Sequence, residues 1–204
     1  MIADETITGF RFGAGGSQRH FGFTPDLTIL GKAIGGGVPF AALAGKKSAM
    51  TKIIEGAVVH AGTLNGNPLC LAASKWCLDE IAALGDRHPR EITALGHTMM
   101  SGLRALADLH GIPLRAQGPG LVFHTAMLRP GAAEGPIRDY RDYVKRHDAL
   151  RWAHLRRCLL EDGVRAIERG LWFISLAHRE ADVAEALQKA ERSFARHAAE
   201  WKPA

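Results

Sequence analysis

The sequence predicts an α/β portion over residues 1–86, followed by a smaller α+β portion over residues 87–204 with a linking helix at its start. Three observations carry this. Short apolar stretches of strand length alternate with Gly- and Pro-punctuated segments in the first part. The texture changes after Gly111, where strand-like runs are set between longer helical periodicities. The composition, 47% hydrophobic and 23% charged over 204 residues, is that of a chain able to bury a full core.

The elements follow in order. Residues 1–4 read as a short buried strand end, and 26–31 as an apolar stretch running into Lys32. Residues 38–45, "VPFAALAG", read as a strand closed by Gly45 and the Lys46-Lys47 pair. Asn67-Pro68 opens a helix, with Asn as N-cap and Pro at the first helical position, and Gly85 closes it. Its Leu69, Ala72, Ala73, Trp76 and Cys77 form an apolar side expected to face inward. A second helix, from about Pro89 to His110, keeps helical spacing through Ile92, Leu95, Met99, Leu103 and Leu106. Residues 121–128 suggest a strand, 129–136 a loop, and 139–161 one long Arg-rich helix. A strand over 171–178 and a helix over 180–200 end the series; Glu180 and Asp182 suit that helix's N-terminal dipole.

Charge and cysteine usage narrow the function. The net charge of +5 is spread along the chain without aromatic interleaving, so no nucleic-acid partner is expected. Three cysteines without close pairing suggest neither a disulfide framework nor a metal site, and they fit a reducing, cytoplasmic setting. No His pair has metal-ligand spacing either. No apolar run approaches the ~20 residues that span a bilayer, so no membrane association is expected. The glycines at 13–16 lack the third glycine of a dinucleotide loop, since Gln18 stands in its place, and Gly45-Lys46-Lys47-Ser48 lacks the rest of a phosphate loop.

Three polar residues in apolar or glycine-rich surroundings remain. Asp4 ends a strand, Lys32 precedes three glycines after Ile34, and Thr63 lies in "HAGTLNGNP" ahead of a helix. An acid, a lysine and a hydroxyl so placed are what a pyridoxal 5'-phosphate site would use: a carboxylate for the pyridinium nitrogen, an amine for the aldehyde, donors for the phosphate. Each also has a plain structural reading, as a cap, a solvent-reaching stem and a turn residue.

Together, "IADETITGFR", "GGSQRHFGFTPDLTILGKAIGGGVPFAALAGK" and "HAGTLNGNPL" resemble the class III pyridoxal-phosphate aminotransferases, most closely the glutamate-1-semialdehyde 2,1-aminomutase group. The resemblance is dense over residues 2–75, and "FISLAHREADVAEAL" is similar to the start of that group's last helix. It implies the aspartate aminotransferase-like fold of type I, with a partial large domain (1–86) and a small C-terminal domain (87–204). It further implies that Asp4 pairs with the ring nitrogen and that Lys32 is the Schiff-base lysine. Thr6 stands where the family usually has a ring-packing valine, and Thr63 reaches the phosphate of a neighbouring subunit's cofactor. The implied reaction is amino-group transfer on a small-molecule amino donor or amino/keto substrate, by transaminase or by aminomutase chemistry.

In this family an N-terminal half, with the main phosphate loop, precedes the equivalent of Met1. Activity is therefore expected to need that half, in a homodimer or from a complementing chain. A non-catalytic remnant that oligomerises or binds is the alternative. Arg165 and Arg169 are candidates for the donor's carboxylate, with surface charge as the favoured reading of both.

Overall fold

The first strand, β1 (Ile2–Glu5), pairs in parallel with β2 (Leu27–Leu30), and β2 pairs antiparallel with β3 (Ala42–Gly45). A computed structural model describes residues 1–202, and the chain divides into two units, Met1–Pro89 and Arg90–Ala204. Parallel pairing requires a crossover, and residues 6–26 supply it, with the short helix α1 (Gly16–Phe21) on the way. Contrary to the sequence expectation, residues 1–4 are not buried: Ile2 is 64% exposed. β1 is an edge strand with a neighbour on one side only, and Glu5 is its one buried residue.

β3 is shorter than the predicted 38–45. Pro39 has no N–H to give to a ladder, and pairing with β2 starts at Ala42 opposite Leu30. The Lys46-Lys47 pair opens a helix, α2 (Lys47–Ile54), that the sequence reading does not contain. Helix α3 (Pro68–Leu84) starts where predicted, because the Asn67 side chain accepts from the amides of Leu69 (3.0 Å) and Cys70 (3.2 Å).

Its inward face, however, differs from the predicted one. Ser74 and Cys77 are buried where α3 meets the 3-10 turn Lys32–Gly35, while Leu69 and Trp76 are 72% and 64% exposed. The turn sets this rotation. Gly36 has a φ of 57°, and a Cβ there would lie 2.3 Å from the Cys77 sulfur, so only glycine lets α3 come this close.

The boundary between the units falls in the first turn of α4 (Arg87–Leu109). Beyond it, β4 (Leu114–Gln117), β5 (Val122–Met127) and β6 (Leu171–Phe173) form an antiparallel sheet in that order. The predicted helix over 139–161 is two helices, α5 (Tyr140–Arg146) and α6 (Ala149–Glu161). Each has its own Asp cap: Asp139 accepts from the amide of Asp142 and Asp148 from that of Arg151. The break is tied to the end of β5, since the Asp148 amide donates to the Met127 carbonyl at 2.8 Å.

The predicted strand over 171–178 stops at Phe173, and α7 (Glu180–Glu200) runs where the periodicity places it. Ile92, Met99, Leu103, Phe123, Leu155 and Phe194, each at most 3% exposed, form the core of this unit. Among the described residues no helix is long and apolar enough to cross a membrane.

Candidate functional site

The parallel register of β1 and β2 places Asp4 opposite Ile29 and Glu5 opposite Leu30, so both strands end at the same edge. The carboxyl ends of parallel strands are where α/β sheets expose backbone and side chains to ligands. Lys32 lies two residues beyond the end of β2, and Thr6 one residue beyond the end of β1. Topology therefore brings Asp4, Thr6 and Lys32 to one end of one sheet.

Thr6 organises the group. Its amide donates to Asp4 Oδ1 at 3.0 Å, and its hydroxyl makes a second hydrogen bond to the same carboxylate. Those two bonds, with a smaller contribution from the Lys32 charge, hold the Asp4 carboxyl below its usual range. The Thr6 hydroxyl thus has its partner in Asp4. The methyl side of Thr6 faces the other strand: a Cβ on Gly31 would meet its Cγ2 at 3.2 Å.

Lys32 is exposed and has a φ of 50°, one of two positive values at non-glycine residues among those described. For an L-residue this conformation costs about 1–2 kcal/mol. The surroundings are small, as the sequence suggests, but they do not enclose the side chain.

Thr63 stands apart. It is exposed in the turn ahead of α3, and no hydrogen bond links it to Asp4, Thr6 or Lys32. It sits four residues before the Asn67 cap.

Glu5 is the residue that the sequence reading passes over. It is 1% exposed, and its carboxylate accepts from the Thr8 hydroxyl (2.6 Å) and from the amides of Ser17 (3.1 Å) and Gln18 (3.0 Å). Burial pulls its pKa up; the hydrogen bonds outweigh this, and the group titrates below its usual 4.5. Gly16 makes the arrangement possible: at a φ of 59°, a Cβ there would lie 2.9 Å from the carboxylate. Glu5 thereby fastens the crossover back onto β1, next to Asp4. The acidic pair at positions 4 and 5 is the available signal, because two adjacent acids on a strand point to opposite faces.

Comparison with known proteins follows this geometry. A family model described as aminotransferase class-III matches residues 1–187. Among solved structures, a transaminase with PLP bound is 26% identical with a TM-score of 0.79, over 98% of this chain and 44% of its own. A β-phenylalanine aminotransferase from Variovorax paradoxus is 25% identical with a TM-score of 0.80, over 98% of this chain and 45% of its own. A glutamate-1-semialdehyde aminomutase from Pseudomonas aeruginosa PAO1, at 24% identity and a TM-score of 0.80 over 96% and 44%, shares the fold. The two units thus reproduce part of a type I transaminase fold, and the chain spans less than half the length of the structures it matches.

Proposed function

The chain belongs to the class III aminotransferases, and on that premise we propose that it carries the C-terminal share of a pyridoxal 5'-phosphate-dependent amino-transfer site. The observation that carries this reading is the meeting of Asp4, Thr6 and Lys32 at one end of a parallel strand pair. Their chemistry fits the cofactor. A carboxylate held ionised by two Thr6 hydrogen bonds suits a protonated ring nitrogen, and an exposed amine is free to react with an aldehyde.

When bound, the cofactor supplies an electron sink for the carbon that carries the substrate's amino group. The chain's own residues do the rest. Asp4 keeps negative charge beside the ring nitrogen, and Thr6 fixes the carboxylate so that this charge does not wander. Lys32 would hold the cofactor covalently through Nζ. Released, the same Nζ would take a proton from the substrate's Cα as base and, as acid, would return it at the cofactor's C4′.

We assign Thr63 to the phosphate of a cofactor held by a second copy. Its exposure, with no hydrogen bond to Asp4, Thr6 or Lys32, supports this. The substrate is a small-molecule amino donor or amino/keto compound; transaminase and aminomutase outcomes both use these residues. Catalysis belongs to this chain together with the remaining length that its relatives have, in a homodimer or from a complementing chain. The three free cysteines favour a reducing, cytoplasmic location.

One observation favours a second reading, that of a non-catalytic module. Leu69 and Trp76, seven residues apart on one side of α3, leave an apolar face exposed, as a surface that only oligomerises or binds would require.

The test is the absorbance spectrum of the chain with pyridoxal phosphate, before and after borohydride reduction, followed by mass analysis of the peptide containing Lys32. A visible band that reduction fixes on Lys32, absent in Lys32→Ala, supports the first reading. No Lys32-dependent adduct, in the chain alone and with a complementing N-terminal half, overturns it.

A further inference from the structure

The second unit holds a cavity that the amino-transfer reading does not use. It measures about 510 Å³ and is bounded by Arg129 after β5, the joint between α5 and α6, one face of α6, and the segment ahead of β6. All of its lining residues belong to Arg90–Ala204. A volume of this order is that of sites for small organic ligands.

Its charge is one-sided. Arg129, Arg156 and Arg169 line it, against the single carboxylate of Glu168. His147, also in the lining, adds no charge near neutral pH, because burial, the main cause, holds it below its usual 6.5. The lining therefore carries an excess of two positive charges. Arg146, Arg157, Arg179 and Arg196 each have an acidic partner, whereas among the described residues no acid pairs with any of the three arginines here. Guanidinium groups left without counter-charge around one cavity suit an anion with several oxygens.

The frame is fixed before a ligand arrives. Arg129 Nε–H donates to the His147 carbonyl at 3.0 Å, which anchors the guanidinium and leaves both Nη groups for a ligand. Trp152 Nε1–H donates to the Glu168 carbonyl at 2.8 Å and so ties the segment that carries Arg169 to α6. Arg156 follows Trp152 by one turn, on the same face of α6. Groups held in this way lose less freedom on binding.

The rest of the lining is apolar. Val144, Ala149, Ala153 and the nearly buried Trp152 supply it, and the Tyr143 ring, stacked on His147 with centroids 4.6 Å apart, is a further wall. An inorganic anion alone leaves this surface uncovered; an organic group attached to the anion covers it.

We propose that this cavity binds a phosphate monoester of a small organic compound. Its dianionic phosphate is held by Arg129, Arg156 and Arg169, and its organic part lies against Val144, Ala149, Ala153 and Trp152. The assignment is independent of the role of Lys32.

Calorimetric titration of the full chain with phenyl phosphate at low ionic strength tests this, with inorganic phosphate and benzoate as comparisons. The expected result is saturable binding at one site per chain, tighter for phenyl phosphate than for either comparison. Arg156→Gln and Arg169→Gln each weaken it at least about tenfold, the loss of a hydrogen bond to a charged group. Arg141→Gln, an exposed arginine outside the cavity, leaves it unchanged. Absence of saturable binding at about 10 mM phenyl phosphate overturns the site. So does binding that survives Arg156→Gln and Arg169→Gln, or that falls as much in Arg141→Gln, which would mean attraction to diffuse surface charge. Benzoate binding as tightly as phenyl phosphate overturns the phosphate class. Circular dichroism of each variant separates a lost site from a lost fold, and if one of the two cavity variants does not fold, the other decides.

Discussion

The two units solve the problem of burial differently. In Met1–Pro89, Ile34, Cys77 and Pro25 are the buried apolar side chains larger than alanine among the described residues, while Ile54, Val59, Leu64, Leu69 and Trp76 are more than 60% exposed. In Arg90–Ala204 a sheet and four helices close over Ile92, Leu103, Phe123, Leu155 and Phe194. The unit that holds Asp4 and Lys32 is thus the one whose apolar surface is unspent. Local devices hold it together in place of a core: the Asn67 cap, the Glu5 hydrogen bonds, and the Asp26 carboxylate paired with Lys46.

If this contrast is right, it can be broken in a graded way. Phe194→Ala should cost about 4 kcal/mol, because a large side chain leaves a cavity in a closed core. Chemical denaturation would show it, and hydrogen exchange read peptide by peptide should place the loss beyond Arg90. A smaller change is expected from Glu5→Gln, about 2 kcal/mol. The amide that replaces one carboxylate oxygen points a donor at donors, so exchange should speed up over residues 8–18 and leave α6 and α7 unchanged.

Acid should separate the units without mutation. Burial is the main cause that holds His124 and His147 below their usual 6.5, so the unfolded chain takes up these protons first. Stability from them is full above 6.5 and is lost as pH falls through the lower folded values. Glu5, held below 4.5 in the fold, contributes stability that is lost only as pH falls below 4.5. Exchange protection corrected for intrinsic rates should therefore decline first in the second unit and later in the Glu5 segment; the reverse order would refute the assignment.

Thr6→Val keeps the branched shape and removes one of two hydrogen bonds, so the Asp4 carboxyl should move up toward its ordinary range, a shift that NMR titration can follow. Trp76→Ser should change stability by no more than about 0.5 kcal/mol, the range of exposed substitutions. A large loss there would mean that α3 is covered in the isolated chain.

The same contrast explains what was legible in the sequence. α3 and α7 carry their own signals, an Asn-Pro start and a sustained period, so their bounds are readable from local chemistry. The face that α3 buries is not readable, because it is set by the close approach of Gly36 to Cys77 from a distant segment. The break between α5 and α6 depends on a hydrogen bond to Met127, again remote in sequence. Asp4 and Lys32 are visible as polar residues in apolar surroundings, whereas Glu5 gains its meaning only when residues 16–18 fold back onto it. His154 and Cys158 show a helical spacing, but His197, which hydrogen-bonds to His154, arrives some forty residues later.

The left-handed backbone at Lys32 has a consequence for how such a chain would drift. Asparagine sits at that conformation with less strain than lysine, and the two are a single nucleotide change apart. A lineage with no use for the amine would gain stability by taking that step. A lysine at a φ of 50° therefore stands at a cost to stability, and Lys32→Asn should recover part of it.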